Sequence, residues 1–578
     1  MTGRRMRLLL LSLVLSSMAY GSSGGGDRAA GNYFASRSPV MARSGVAATS
    51  HPLASQIAID VLKDGGSAVD AAIAANIALG VMEPTGSGIG GDLFAIVWDP
   101  KTKRLHGLNA SGRSPRGQSY TQLKEKLGDN AKIPFFGPLS VSVPGAVDGW
   151  DMLHKRFGNL DWEQLFQGAI RYAREGVPVT PAIAHSWDIY HRISGGDKDF
   201  VGDVSNYRKT FLIEGKPPVA GEIFRNPDLA LTLQKIAQQG AEVFYKGELA
   251  QKMDAYMRVK GIPLTPQDFS DHHGDWVEPV SVNYRGYDVF ELPPNGQGIA
   301  VLQMLNVLED YDLSAIDHNS AEYLHLLVEA KKLAFADRAK FYVDPDFYDV
   351  PLAGLLSKDY AAKRRKLISE TSAGESVGAG NPRLKKGDTV YLTVADKDGM
   401  MVSLIQSNFA LIGSGMVPDG MGFMLQNRGA LFSMDPDHAN TYAAGKRPFH
   451  TIIPGFVMKD GQPFLSFGVM GADMQPQGHV QVLCNIIDFG MNVQEAGDAA
   501  RFRHASETET GNVLPGSGEL YLESSIDSAV VNELQKRGHN VRPFSGTFGG
   551  YQSILLDGPQ GIYYGASDMR LDGQAIGY

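Results

Sequence analysis

Apolar residues recur at helical spacing through 51–82 with a break at Gly65-Gly66, which predicts two helices. The second is dense in alanine (Ala71, Ala72, Ala74, Ala75, Ala78) and suited to close packing on a sheet or another helix. Gly86-Ser87-Gly88-Ile89-Gly90-Gly91 follows, then the strand-like run Leu93-Phe94-Ala95-Ile96-Val97-Trp98. Helical stretches dominate 138–344, with loops such as Pro293-Pro294-Asn295-Gly296. Within them 325–342 predicts a long helix whose Glu329, Lys331, Lys332, Asp337 and Arg338 form a solvated, ion-paired face.

The pattern changes at Glu370. Residues 370–387 are poor in apolar side chains and rich in Ser, Gly and Ala, predicting a mobile linker. A period of two begins at once: Val390, Leu392 and Val394 alternate with Tyr391, Thr393 and Ala395, and Met401, Ser403 and Ile405 continue it after a turn. A three-residue loop Lys397-Asp398-Gly399, with Gly399 left-handed, sets Thr389 across from Ser407; a four-residue loop sets Gln406 there instead. Thr389 reads either as an ordinary strand residue or as a nucleophile. If the Asp388–Thr389 bond is cut, the freed α-amine, with an ordinary pKa of about 7.7–8, sits on the same residue as the hydroxyl it can activate.

Composition narrows the class. With 43% hydrophobic and 20% charged residues the chain is globular, neither disordered nor fibrous. A net charge of −9 without a basic stripe leaves nucleic-acid binding unsupported. One cysteine, Cys484, in an apolar stretch, excludes an intrachain disulfide and a cysteine zinc site and reads as core. Arg4, Arg5 and Arg7, the apolar run 8–15, and small Ala19 and Gly21 read as a secretory signal over 1–21, too short to span a bilayer; the expected protein is soluble and periplasmic or secreted, with a flexible leader at 22–31. The Gly86 loop matches G-x-G-x-x-G, but a helix precedes it and a strand follows, the reverse of a dinucleotide site. His272-His273 with Asp271 and Asp275 reads as a solvated turn rather than a metal site, and Met416, Met470 and Met474 as packing.

Asp388-Thr389-Val390-Tyr391 with Asp396-Lys397-Asp398-Gly399 resembles the self-cleavage site of the γ-glutamyltransferase (glutathione hydrolase) family of N-terminal-nucleophile hydrolases. Further segments agree in order: Glu83-Pro84 with the Gly86 loop, Val143-Pro144-Gly145, Glu329-Ala330 with Ala334-Phe335-Ala336-Asp337-Arg338, Gly445-Lys446-Arg447-Pro448, and Gly565-Ala566-Ser567-Asp568. The resemblance implies an α+β, four-layer αββα sandwich built from a precursor that cuts itself before Thr389. A large chain, 22–388, and a small chain, 389–578, would stay associated. Thr389 would form an acyl-enzyme from a γ-glutamyl amide and pass the acyl group to water or an amino acid, with no metal or organic cofactor.

Residue by residue, the resemblance makes Ser407 the nucleophile's partner and Gly471 and Ala472 the oxyanion step, alanine keeping the N–H a glycine would offer. It sets Arg113 on the substrate carboxylate. Three places depart from the family pattern. Leu431 stands where an aspartate holds the α-amino group, Arg428 replaces an uncharged polar residue, and His450-Thr451 replaces Ser-Ser. These resemble the branch close to glutaryl-type cephalosporin acylases, and Arg113 and Arg428 together would suit a dicarboxylic acyl group. Three readings follow: a γ-glutamyltransferase, a glutaryl-type amide acylase of the same fold, and an uncut homologue that only binds γ-glutamyl compounds.

Overall fold

The computed structural model describes residues 33–130, 132–193, 203–374, 388–410, 412–506, 517–543 and 548–578. The expected signal, the leader and most of the expected linker lie outside the described residues. With strands numbered in chain order, one antiparallel sheet runs β1 (Val40–Ala42), β18 (Ile562–Ser567), β17 (Tyr551–Asp557), β13 (Gln462–Val469), β12 (Gly455–Lys459), β9 (Tyr287–Glu291), β8 (Val280–Tyr284). The other runs β19 (Gln574–Gly577), β2 (Gly45–Thr49), β10 (Asp388–Asp396), β11 (Met401–Phe409), β3 (Asp92–Asp99), β4 (Arg104–Ala110), β7 (Asp275–Val277). A ribbon of β5 (Val177–Pro178) and β6 (Ile223–Phe224) and a small sheet of β14 (Phe502–Ala505), β15 (Glu519–Leu522) and β16 (Val541–Arg542) lie apart.

Alternation explains why β10 and β11 are buried on both faces. Tyr391, Ala395, Met401 and Ile405 meet Phe456, Met458, Ile554 and Tyr563 of the facing sheet. Val390, Leu392, Val394, Val402 and Leu404 pack instead against the helices Pro52–Lys63 and Ala68–Met82. The expected break between those helices is there: Gly65 takes φ +94°, and Ser67 and Asp70 form a reciprocal cap. On the far side, Val457, Leu465 and Phe467 pack against the helices Ile299–Leu308, Ala321–Phe341 and Met474–Ile487. The layers are therefore helix, sheet, sheet, helix, as expected. No helix among the described residues is long and apolar enough to cross a membrane.

The helix Ala321–Phe341 corrects the expectation of a solvated face. Glu329, Lys331, Lys332, Asp337 and Arg338 are all buried. Their charges are answered inside the fold: Lys332 by Glu329 at 2.7 Å, Arg338 by Asp473 at 2.6 Å, and Asp337 by Tyr360 at 2.9 Å and Gln303 at 2.8 Å. Most of these partners lie far away in sequence, so helical spacing alone could not reveal them.

Candidate active site

The hairpin turns as expected at 397–399: Gly399 has φ +88°, and the Asp396 N–H donates to Met400 O at 3.1 Å. Pairing runs regularly from Ala395 with Met401 to Val390 with Gln406, then shifts, so that Asp388 pairs with Phe409. Thr389 thus faces the irregularity at Ser407 and Asn408. Its Oγ1 donates to Ser407 Oγ at 3.3 Å, and Ser407 Oγ also accepts the Phe409 N–H at 2.8 Å. Both hydroxyl residues are buried. Phe409 takes φ +79°, a strained conformation for a bulky side chain, which marks the hairpin end as locally special.

Two glycines of the Gly86 loop are fixed by close approach. A Cβ on Gly90 would lie 2.0 Å from Met424 O and one on Gly91 only 2.4 Å from Ser407 O, while Gly86 lies in ordinary contact with the Thr389 backbone. Gln406 clasps Gly88 through both its backbone groups, at 3.0 and 2.6 Å. The loop is a backbone cradle for the hairpin end, preceded by a helix and followed by β3.

Across the sandwich, Thr393 Oγ1 lies 2.7 Å from Ser466 Oγ, and a Cβ on Gly468 would lie 2.5 Å from the Tyr391 ring. If that facing register continued past the end of β13, Thr389 would come level with Met470, next to Gly471 and Ala472. Both of these are left-handed, at φ +121° and +51°. Neither of their N–H groups donates to a protein group among the described residues.

Arg428 lies on the short helical turn Arg428–Leu431 and is wholly buried. Nη1 donates to Thr451 Oγ1 at 2.8 Å, while Nε and Nη2 have no hydrogen-bond partner among the described residues. The guanidinium lies 4.4 Å over the Phe409 ring, which ties it to the hairpin end. Burial pushes its pKa down to about 9, with Asp92 the one charge pulling it back up. Leu431 is buried in an apolar cluster and offers no acid.

Asp92, which the sequence reading passed over, is the hub beside this group. It pairs with Ser407 in the β3–β11 ladder. Its Oδ1 accepts from the Gly112 N–H and Gln426 Nε2, each at 2.8 Å, and its Oδ2 lies 3.1 Å from His450 Nε2. Burial first, then Arg428, lowers the His450 pKa to about 3, so the ring is neutral. The Ile452 N–H donates to its Nδ1 at 3.3 Å, which leaves Nε2 as the donor to Asp92. An acid opening an otherwise apolar strand was the available signal.

Arg113 and Arg428 engage different partners. Arg113 reaches Asp275 at 3.4 Å and Asp346 at 3.9 Å, and it shares Asp275 with Arg447. The reason is topological: Asn109 near the end of β4 pairs with Asp275 of β7, so the next turn delivers Arg113 to that acid. Burial, then Arg447, lowers the Arg113 pKa.

His272 also corrects an expectation. Its side chain is buried, with ring centroids 5.3 Å from Tyr245, because that ring offers an apolar face to stack on. His325, Glu329 and His539 lie close enough to share a metal. They already satisfy one another and Lys332, with His325 Nδ1 2.8 Å from His539 Nε2 and Lys332 Nζ 2.7 Å from Glu329. The ammonium occupies the place a cation would take. Cys484 is core, as expected.

A threonine opening a hairpin at the end of two stacked antiparallel sheets, paired with a serine hydroxyl and cradled by a glycine loop, fits an N-terminal-nucleophile hydrolase. The sequence profile of the family described as Gamma-glutamyltranspeptidase matches residues 54–578, and the chain belongs to that family. It is 36% identical to the Glutathione hydrolase-like YwrD proenzyme of Bacillus subtilis (strain 168), over 91% of this chain and 97% of that one. It is 33% identical to the Acylase ACY 1 proenzyme of Pseudomonas sp. (strain V22), over 93% and 94%. Among solved structures, cephalosporin acylase from Bacillus halodurans superposes with a TM-score of 0.87 at 41% identity, covering 96% of this chain and 99% of that one.

Proposed function

We propose that this enzyme cuts itself before Thr389 and then hydrolyses amides whose acyl group ends in a carboxylate, glutaryl amides ahead of γ-glutamyl amides. Arg428 carries the reading: a buried guanidinium with two nitrogens unpartnered among the described residues is expensive to keep, and a substrate carboxylate would supply the missing acceptors. A γ-glutamyl group would add an ammonium beside that cation, with Leu431 offering it no counter-charge. Relatives named as acylases support the same direction, while the relative named glutathione hydrolase-like keeps γ-glutamyl transfer as the rival substrate class.

In this mechanism the freed Thr389 amine takes the proton from Oγ1 as the oxygen attacks the acyl carbonyl. The N–H groups of Gly471 and Ala472 meet the developing oxyanion. Collapse breaks the C–N bond, the amine leaves with the proton from Thr389, and an ester remains on Oγ1. Water, or an acceptor amine, gives up a proton to the same base and releases the acyl group. Export fits the basic and apolar N-terminal pattern, and the two chains act as one unit. Arg113 is a second candidate for the acid, while His450, neutral and held on Asp92, positions that carboxylate beside Arg428.

The test compares kcat/KM on glutaryl and γ-glutamyl p-nitroanilide. Losing an ionic partner costs about 2–5 kcal/mol, so a preference for glutaryl of about 30-fold or more is expected. A clear γ-glutamyl preference overturns the dicarboxylic reading.

A further inference from the structure

Gln297 has no place in the chemistry above, yet it is fully buried and touches both halves of the site. Its Nε2 donates to Thr451 O at 2.6 Å and to Ala472 O at 2.9 Å, while its Oε1 accepts from Arg338 Nη1 at 2.5 Å. The orientation of the amide is forced. Arginine has no acceptor and a backbone carbonyl has no proton, so only one of the two amide placements satisfies all three neighbours. Arg338 Nη1 also donates to Asp473 Oδ1 at 2.6 Å, and its guanidinium lies 3.9 Å over the Phe335 ring. Residues 472 and 473 are thus gripped in succession, one by Gln297 and one by the arginine that orients it. The Gln475 N–H adds a second donor to Ala472 O at 3.1 Å.

Ala472 needs such a grip. An L-residue in the left-handed region gives up roughly 1–2 kcal/mol, and its aim sets the direction of the N–H groups offered to an oxyanion. At the other end, the Thr451 carbonyl belongs to the residue whose hydroxyl accepts from Arg428 Nη1.

We infer that Gln297 is a positioning residue that locks the Gly471–Ala472 step and, through Thr451, holds Arg428 in register with it, so that seating the acyl carboxylate and stabilising the oxyanion depend on one amide. The inference rests on the proposed roles of Ala472 and Arg428. Gln297 touches neither substrate nor Thr389 in this role.

The test uses the full chain carrying Gln297→Glu and, separately, Gln297→Met, with glutaryl and butyryl p-nitroanilide as probes. Glutamate keeps the length and accepts from Arg338 but, ionised, cannot donate to the two carbonyls; methionine keeps only the volume. Rates are expressed per processed chain, the cut fraction being read by intact mass, and thermal midpoints are recorded. In both variants kcat is expected to fall about 10- to 100-fold on both probes, as for a small misplacement of catalytic groups. KM should rise for the glutaryl probe and not for the butyryl probe. A Glu variant with wild-type kcat per processed chain overturns the inference, since filling space or answering Arg338 would then be enough. An uncut chain with an unchanged thermal midpoint in both variants also overturns it, because the brace is assigned to acyl transfer and not to maturation. If the wild-type enzyme shows no preference for the glutaryl probe, the dicarboxylic reading fails by itself; the kcat loss on butyryl anilide still decides the brace at Ala472.

Discussion

Thr389 Oγ1 and Ser407 Oγ meet at 3.3 Å where the β10–β11 ladder slips register. A regular ladder would seat both hydroxyls in fixed, evenly spaced sites on the strand face. The slip bends the end of β11 and lets Phe409 return its N–H to Ser407, so the Ser407 hydroxyl is pinned from behind while it accepts from Thr389.

Processing is the first prediction. Intact mass under denaturing conditions should show two chains meeting between Asp388 and Thr389, and Thr389→Ala should remain a single chain. A single mass for both proteins would return Thr389 to the status of a strand residue and favour a binding role.

Removing the buried guanidinium should collapse acyl discrimination. With Arg428→Met, the ratio of kcat/KM for glutaryl over butyryl anilide should drop by about 30-fold to several thousand-fold, matching 2–5 kcal/mol. An unaltered ratio would mean that the carboxylate is read elsewhere, with Arg113 the next candidate.

The left-handed alanine yields a paired prediction. Ala472→Gly removes backbone strain at φ +51° and should raise the thermal midpoint, whereas Ala472→Val puts a branched side chain into the same conformation and should lower kcat at least tenfold. Equal midpoints and equal rates in both would sever Ala472 from the oxyanion role.

Acid should destabilise the fold well above the ordinary carboxylate range. Burial lowers His51 to about 4 and His450 and His539 to about 3, against 6.5 when unfolded. As the pH falls below 6.5 the unfolded chain takes up these protons first, so stability drops, each residue contributing up to about 1.4 kcal/mol per pH unit until its folded pKa is reached. A thermal midpoint that stays level between pH 7.5 and 5 would contradict this account.

Much of the hairpin was legible because its determinants are local. Gly399 sets the loop, alternation sets the two faces, and counting from the loop brings Thr389 to the level of Ser407. The ladder's slip was not legible, since it depends on Phe409 accepting a conformation its type disfavours. Arg428 and Leu431 were recognisable as unusual, but the loneliness of the guanidinium emerges only from burial. His272 and the helix Ala321–Phe341 were misjudged for one common reason. Each is governed by partners supplied from elsewhere in the chain: Tyr245 for the one, and Asp473 with Tyr360 for the other.

The order of the second sheet carries a consequence for the life of the molecule. β10 and β19, which follow the proposed cut, flank β2, which precedes it, and β11 is zipped to β3. No chain ending at Asp388, and none beginning at Thr389, owns either of the two large sheets whole. Folding is therefore a task for one covalent thread, whereas any later unfolding releases two threads that must find each other again. Self-cleavage would act as a ratchet, turning a molecule that refolds on its own into one whose recovery depends on its concentration. Comparing the refolding yields of mature enzyme and Thr389→Ala precursor across a dilution series would display that asymmetry directly.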